Sequence, residues 1–468
     1  MDDGIDIKEF PAPLGRAAVA TREFAIGDLV VSESPVLVVP TFLNPAATTP
    51  ATASLISTLT DALRSALLDE PQQEQGEARP STAAAEAEVD LQVNAIAAYM
   101  GLNQQERKTV MTNFASPPLD AQHPAIALLT TFASAAARVE GMPAFEDIQK
   151  LLLVLATNAH EFVEDGAVYV GLYDRGSKLA HSCSPKTVYV GEGRILKHYA
   201  LQPIAAGDMI TTNYTVRDDI RACHPTHLRQ EHLLRTKFFL CECERCIVPD
   251  TLRSIPCPTC STPNTPTTPC PTCPPTAYPI SIEQRLEISL AAATAPFDDP
   301  FATGPSITAA FKHVNVVAST SGAALGPLHW ITNWCTPFRA LHAASNGDRT
   351  TAGNLAIAWC RWSKLNVRQH YPHIHARHLV SMGPHCVRSE HVEEYLTIAR
   401  EALPWANPNF MGSDESVRRL KMLIGDKEPR PPKSQAPPQP RAPVDMSDWL
   451  PPSQPRQGAS KGKGKGKK

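Results

Sequence analysis

Seven of the twelve cysteines of this chain lie between Cys241 and Cys273, and the first 182 positions contain none. The amino-terminal sequence MDDGIDIKEF is acidic and lacks the apolar core of a secretory signal, so we expect a reducing compartment. Clustered cysteines in a reducing compartment are typical of metal sites and not of disulfides. The sequence therefore predicts that these thiols hold metal ions.

The first cysteine motif is CECERC at 241–246, which supplies Cys241, Cys243 and Cys246. Three thiolates so close together can bind one tetrahedral zinc ion, which then needs a fourth ligand from elsewhere in the chain. The alternative is a set of buried free thiols, which behave as small apolar residues. The spacing favours the metal.

The second motif consists of two C-x-x-C turns, formed by Cys257, Cys260, Cys270 and Cys273. It predicts a zinc ribbon or knuckle, and its proline- and threonine-rich surroundings offer little apolar core. The metal would therefore supply most of the local folding energy. The isolated cysteines are expected to be ordinary buried thiols: Cys223, Cys335, Cys360 and Cys386.

Length and charge limit the class of protein. A chain of 468 residues predicts about three domains. A net charge of -3 excludes capture of nucleic acid by the charge of the whole chain, so any such contact needs a local patch. No stretch of about 18 apolar residues occurs, and we expect no membrane contact.

Apolar periodicity predicts a mixture of strands and helices. Short apolar runs predict strands at 18–20, 29–31, 36–39, 168–170, 188–190 and 194–199. The Gly-Asp turn at 27–28 predicts that the first two runs form a hairpin. Helical spacing occurs over 91–157, 226–240, from 281, and at 306–320, 328–345, 350–370, 388–403 and 412–424.

Four motifs together resemble those of SET-domain lysine methyltransferases. These are GRA at 15–17, LAHSCSP at 179–185, GDMITTNY at 207–214 and CECERC at 241–246, in the order that the family has them. The sequence GLY at 171–173 and the helical carboxyl-terminal region resemble the SET and MYND (SMYD-like) branch. The MYND zinc module is expected to be missing, because 41–150 contains no cysteine.

The resemblance implies an α+β fold: a β-rich SET fold with a helical insertion, a post-SET zinc site and an α-helical carboxyl-terminal region. The expected domain organisation is an amino-terminal SET part (1–40), a low-complexity and helical insertion (41–150), a catalytic SET part (151–220), a post-SET segment with two zinc sites (221–275), a helical domain (276–426) and a disordered tail (427–468).

The resemblance also implies S-adenosylmethionine as cofactor and a protein substrate that presents a lysine. Cys183 would be the fourth ligand of the first zinc, and Tyr214 would orient the amine and the methyl group. Alignment of the two reactants supplies most of the rate, and a dry channel beside the sulfonium favours the neutral lysine. The implied cofactor-binding residues are Gly15, Arg16, Ala17, Asn158, Ser177, Leu179, Ala180, His181, Tyr214 and Phe239.

Some positions depart from the family pattern. Ala180 replaces an asparagine, Ala17 replaces the second glycine of G-x-G, and Lys186 replaces the asparagine after the proline. His160 stands where relatives often have an aromatic residue of the lysine channel. These departures leave an alternative open: a SET-like pseudoenzyme that acts as a zinc-containing binding or scaffold protein.

The carboxyl-terminal segment is expected to be disordered, since ten prolines lie between positions 428 and 456 and Lys-Gly alternation follows at 461–468. The basic end could contact nucleic acid or chromatin weakly, and the segment 444–450 could be a short docking motif. We expect a monomer, located in the nucleus, the cytoplasm or both.

Overall fold

The computed structural model describes residues 4–11, 14–42, 50–68, 82–117, 123–190, 193–215, 223–274, 277–299, 302–411 and 414–425. The fold is a mixture of helix and sheet, as the α+β prediction required. The predicted basic tail at 461–468 and docking motif at 444–450 lie outside the described residues.

The strands are short and form several small sheets. They are β1 (Ile5–Glu9), β2 (Arg16–Ala20), β3 (Leu29–Glu33), β4 (Leu37–Pro40), β5 (His160–Glu164), β6 (Ala167–Leu172), β7 (Ala180–His181), β8 (Thr187–Val190), β9 (Leu196–Ala200), β10 (Thr211–Thr212), β11 (Ile255–Pro256) and β12 (Pro263–Asn264). Two sheets have three strands, in the orders β3-β9-β8 and β4-β6-β5, and β7 pairs with β10 in parallel. Strands formed at every position where the sequence predicted one.

The predicted hairpin between β2 and β3 is wrong. β2 pairs with β1, and β3 pairs with β9. The Gly-Asp turn does form, with Gly27 at φ +90° and the Asp28 carboxylate accepting from the Ala25 amide at 2.8 Å. However, Phe24 exchanges backbone hydrogen bonds with Ile204 at 2.9 and 3.0 Å, so the chain is joined to a distant segment before it reaches the turn.

The described residues between β4 and β5 form five helices. They are α1 (Pro50–Leu68), α2 (Thr82–Gly101), α3 (Gln104–Asn113), α4 (Pro124–Ala136) and α5 (Phe145–Asn158). An Asn103–Glu106 capping box begins α3, in which each side chain accepts from the backbone of the other at 2.9 Å. The apolar faces of the helices bury a core that includes Leu63, Phe132 and Leu151.

The remaining helices follow the strands. They are α6 (Thr226–Lys237), α7 (Ile280–Asp298), α8 (Gly304–Ala324), α9 (Trp330–Ser345), α10 (Arg349–Asn366), α11 (Pro372–Cys386), α12 (Val392–Arg400), α13 (Pro408–Met411) and α14 (Asp414–Leu423). Their core includes the edge-to-face and stacked rings of Trp334, Trp359 and Trp362. No described helix has both the length and the apolar composition needed to cross a membrane.

The sequence did not predict α11. Pro372 occupies its first turn and Pro384 its last, and both are residues that usually mark helix boundaries. Gly383 also weakens the helical pattern, but a Cβ at this position would lie 2.4 Å from the Tyr395 hydroxyl. Close packing of α11 against α12 therefore requires the glycine.

A buried charge network joins the cysteine-rich segment to these helices. Glu283 is 1% exposed and accepts from Arg253 Nε at 2.8 Å and from His329 Nε2 at 3.1 Å. Burial alone would raise the pKa of Glu283, but hydrogen bonds from His329 and Arg253 outweigh it and lower the pKa to about 2. The Tyr278 hydroxyl adds a contact to the same carboxylate at 3.4 Å.

Candidate cofactor cleft and metal centres

Cys183 lies beside the cysteine triplet, although 58 residues separate it from Cys241. Its sulfur is 3.9 Å from Cys241 Sγ and 3.6 Å from Cys246 Sγ, and its backbone amide donates to Cys243 Sγ at 3.3 Å. Zinc–sulfur bonds of about 2.3 Å in a tetrahedron place sulfurs about 3.8 Å apart. The four thiols therefore fit one tetrahedral zinc ion.

The charges around this centre also fit a metal bound by thiolates. Hydrogen bonds among the four sulfurs lower the pKa of Cys243 and lower that of Cys246 to about 7, whereas the pKa values of Cys183 and Cys241 are raised. Two buried arginines face the sulfurs: Arg229 donates to Cys246 Sγ at 3.4 Å, and Arg245 donates to the Cys183 carbonyl at 3.2 Å. Zinc with four thiolates has a net charge of about -2, which two guanidinium groups compensate.

The second set of cysteines also converges. The sulfur atoms of its four members all lie within 4.8 Å of one another: Cys257, Cys260, Cys270 and Cys273. Pairing of β11 with β12 and a turn that places Ser261 at φ 61° bring the first two cysteines together. The Cys260 and Cys270 sulfurs are 3.4 Å apart, and Cys260 is exposed. This centre could hold a metal at the surface, whereas the first centre is largely buried.

A cleft of about 1450 Å³ runs past the first metal centre. Nine of the ten predicted cofactor residues lie on its wall: Gly15, Arg16, Asn158, Ser177, Leu179, Ala180, His181, Tyr214 and Phe239. Ala17 does not, because it is fully buried within β2 opposite Lys8. Ala17 replaces a glycine of the family pattern, but it lies in a regular strand with extended backbone. Its Cβ therefore causes no backbone strain.

Two cations meet at one end of the cleft, near Gly15. Arg16 Nη2 and Lys178 Nζ both donate to the Asn113 carbonyl, at 2.8 and 2.6 Å. Gly15 has φ +64° with no atom within 4 Å of an added Cβ, so its backbone conformation and not crowding favours glycine. Lys178 Nζ also donates to Ser177 Oγ at 2.6 Å and forms an ion pair with Asp174 at 3.3 Å, so Arg16 is the cation that can bind a ligand carboxylate here.

Tyr214 belongs to an aromatic cluster in the cleft. Its ring centroid lies 5.2 Å from that of His181 and 6.3 Å from that of Phe239. Its hydroxyl donates to the Leu179 carbonyl at 2.7 Å, and its amide donates to His181 Nδ1 at 3.2 Å. Burial raises the pKa of Tyr214 to about 12, so its hydroxyl stays neutral, and the hydroxyl oxygen can still accept a hydrogen bond.

Asn158 is on the wall of the cleft but its amide protons are already used. Nδ2 donates to the Ala115 carbonyl at 2.7 Å and to the Val154 carbonyl at 2.8 Å. Two donors are all that a carboxamide nitrogen has. Any hydrogen bond from this side chain to a cofactor must therefore be accepted by its oxygen.

The two other departures from the family pattern, His160 and Lys186, are held by neighbouring side chains. His160 lies on the cleft wall with its ring 5.3 Å from that of Tyr189 and 5.8 Å from that of Tyr173. Lys186 forms an ion pair with Asp208 at 2.7 Å, which lowers the pKa of that carboxyl.

Three further residues of the cleft were not predicted from the sequence. Lys237, at the end of α6, donates from Nζ to the Ala156 and Thr157 carbonyls at 3.0 and 3.1 Å. Tyr371 and His373, at the start of α11, also lie on the wall, and the Tyr371 hydroxyl accepts from Asn213 Nδ2 at 2.6 Å. The proximity of Lys237 to Phe239 in the sequence was an available signal, but nothing local indicates that α11 reaches the cleft.

No protein-family model matches the chain. The chain is 34% identical over 95 residues to the putative SET domain-containing protein L678 of Acanthamoeba polyphaga mimivirus, covering 20% of this chain and 34% of that protein. It is 25% identical over 112 residues to human N-lysine methyltransferase SMYD2, covering 24% and 25%. This chain resembles SET-domain proteins. The alignment with SET domain and MYND-type zinc finger protein 6 of Schizosaccharomyces pombe, 33% identical over 116 residues, covers 24% and 23%.

The matched segments thus span about a third or less of each of these relatives. The SET domain of LSMT bound to lysine and AdoHcy aligns over 91% of this chain and 86% of that chain, at 12% identity and a TM-score of 0.27. That overall similarity is too low to transfer fold details or ligands. The absence of a MYND module stays a prediction.

Proposed function

We propose that this chain is an S-adenosylmethionine-dependent methyltransferase that acts on lysine side chains of proteins. The main support is the meeting of Tyr214, His181 and the Cys183 cysteine cluster around a single cleft, on motifs that resemble those of SET-domain proteins. Several relatives of this chain are named N-lysine methyltransferases. Histone and non-histone proteins are both candidate substrates.

The residues present fit this cofactor. Arg16 suits its carboxylate, and the edge of the His181, Tyr214 and Phe239 cluster on the cleft wall suits its adenine. When bound, S-adenosylmethionine supplies a methyl group activated by the positive sulfur. Zinc at either cysteine centre would be structural, because four thiolates leave no coordination position open.

Tyr214 is the residue proposed to orient the substrate. Its proton is held by the Leu179 carbonyl, so its oxygen presents lone pairs that can accept a hydrogen bond from the lysine amine. This arrangement fixes both the hydroxyl and the Leu179 backbone in one geometry. Apolar cleft residues such as Val188 and Leu201 exclude water and so favour the neutral amine that methyl transfer requires.

Asn158 and Ala180 support a second candidate, a SET-like binding protein without activity. The Asn158 amide protons are used by backbone carbonyls, and Ala180 has no side-chain polar group to offer. Each missing hydrogen bond to a charged ligand corresponds to about 1.5–3 kcal/mol. Loss of the side-chain contact at Ala180 and of any hydrogen bond donated by Asn158 could leave a cleft that binds a partner segment but not the methyl donor.

One experiment separates the two candidates. The purified full-length chain is titrated with S-adenosylmethionine by calorimetry and then incubated with radiolabelled cofactor and a cell extract. An enzyme would bind the cofactor and transfer label that is recovered as methyl-lysine after hydrolysis. Binding without transfer would support the binding protein, and no binding at millimolar cofactor would refute the methyltransferase.

A further inference from the structure

His373 is a buried imidazole on the part of the cleft wall that the helical region forms. Its side chain is 5% exposed, and its Nδ1 has no hydrogen-bond partner among the described residues. Leaving a buried polar atom without a partner costs free energy, and such atoms are rare in folded proteins. A ligand group that reaches this part of the cleft would remove that cost.

The amino-terminal end of α11 lies at the same place. Tyr371, the residue before the helix, provides no side-chain cap, and Pro372 occupies the first turn. Pro372 has no amide proton and the Ile374 amide donates to the Tyr371 carbonyl at 3.1 Å, so the His373 amide is the first donor of α11, at an end that attracts negative charge. Because Tyr371 and His373 both line the cleft, this donor lies at its wall.

The nearby side-chain charges are positive. Arg377 lies one turn further along α11, and burial followed by the charge of Arg377 lowers the pKa of His373 well below its usual value. The Arg245 guanidinium lies 5.4 Å from the centroid of the Tyr371 ring. The carboxylates that line the cleft include Glu161 on β5 and Glu242 in the cysteine segment, neither of which belongs to α11.

We propose that the first turn of α11 binds an acidic side chain of the protein substrate, with the His373 ring and the His373 backbone amide donating hydrogen bonds to its carboxylate. The inference rests on the proposed function, since the cleft must admit a substrate segment. It narrows the substrate class to lysines that have an aspartate or glutamate at one fixed distance along the sequence.

Peptide binding tests this directly. Fluorescent peptides with one lysine and a single glutamate, placed in turn at each neighbouring position, are compared with the matching glutamine peptides. Fluorescence anisotropy is measured with the full-length chain and S-adenosylhomocysteine. We expect glutamate at one position to strengthen binding about tenfold over glutamine, which corresponds to about 1.4 kcal/mol.

The His373→Phe variant should bind the two peptides within about twofold of each other, and His373→Gln should retain part of the preference. His385→Phe is the matched control, because His385 lies on the same helix, also has a buried unpartnered nitrogen, and is not on the cleft wall. A wild-type chain with no glutamate preference at any position, or a preference that survives in His373→Phe, overturns the inference. Methyl transfer is measured separately, so failure of the proposed function gives a different result.

Discussion

Replacing Tyr214 by phenylalanine removes one oxygen atom and tests the proposed centre of the cleft. The hydroxyl that would be lost donates to the Leu179 carbonyl at 2.7 Å, and Leu179 is fully buried. No other side chain of the cleft is altered by this change. The variant therefore separates the hydroxyl from the packing of the ring against His181 and Phe239.

Two effects are expected from Tyr214→Phe. A buried carbonyl left without its partner costs about 1–3 kcal/mol, so the free energy of unfolding should fall by that amount. Loss of an oriented hydrogen bond to the substrate amine, worth about 1.5–3 kcal/mol, should lower kcat by about 10- to 100-fold. Affinity for S-adenosylmethionine should change much less, because the aromatic ring that packs with His181 and Phe239 is retained.

Tyr395→Phe is the matched control, since the Tyr395 hydroxyl donates to the Leu379 carbonyl at 2.9 Å within the helical region and away from the cleft. Urea denaturation, cofactor calorimetry and methyl transfer are measured for both variants. If Tyr214→Phe transfers methyl groups as fast as Tyr395→Phe and gives the same product, the role of Tyr214 in catalysis is refuted. Loss of stability alone would mean that the hydroxyl only supports the fold.

Three further predictions concern the metal centres, pH and cofactor affinity. Metal analysis should find about two zinc ions per chain, and about one in Cys183→Ala or in Cys260→Ala. Cofactor binding should be lost only in Cys183→Ala. Equal loss of cofactor binding in both variants would contradict the assignment of separate centres. The pKa of Glu283 is depressed from 4.5 to about 2, so its stabilisation is present above pH 4.5 and lost as the pH falls toward 2. Urea denaturation across that window should show a loss of roughly 3 kcal/mol that is absent in Glu283→Gln. Ala180→Asn should raise S-adenosylmethionine affinity about tenfold by calorimetry, whereas Ala17→Gly should not, because Ala17 is buried in β2 away from the cleft.

Local features of this protein could be predicted from its sequence because they depend on short spacings. The CECERC triplet and the two C-x-x-C turns converge as their spacing predicted. Cys183 lies with the triplet, as the motif resemblance led us to predict. The strands lie at the predicted positions because short apolar runs specify them locally. Each of these predictions depended either on residues that are close together in the chain or on a family motif.

Features that depend on long-range pairing could not be predicted. The Gly27-Asp28 turn has the sequence of a hairpin, but the pairing of Phe24 with Ile204 decides where the flanking strands go. Asn158 has the residue type of a cofactor ligand, yet the Ala115 carbonyl, which binds its amide, lies 43 residues away. Propensity and spacing contain no information about such partners.

The separation of 58 residues between Cys183 and Cys241 has a consequence for biosynthesis. Closing a loop of that length costs roughly 4 kcal/mol of chain entropy, which metal binding can offset many times over. During translation the loop cannot close until Cys246 has left the ribosome, after most of the cleft residues are already made. If these four thiols hold zinc as proposed, chains made in a cell short of the metal would have an incomplete cleft beside Cys183, and the supply of metal would limit the yield of mature protein.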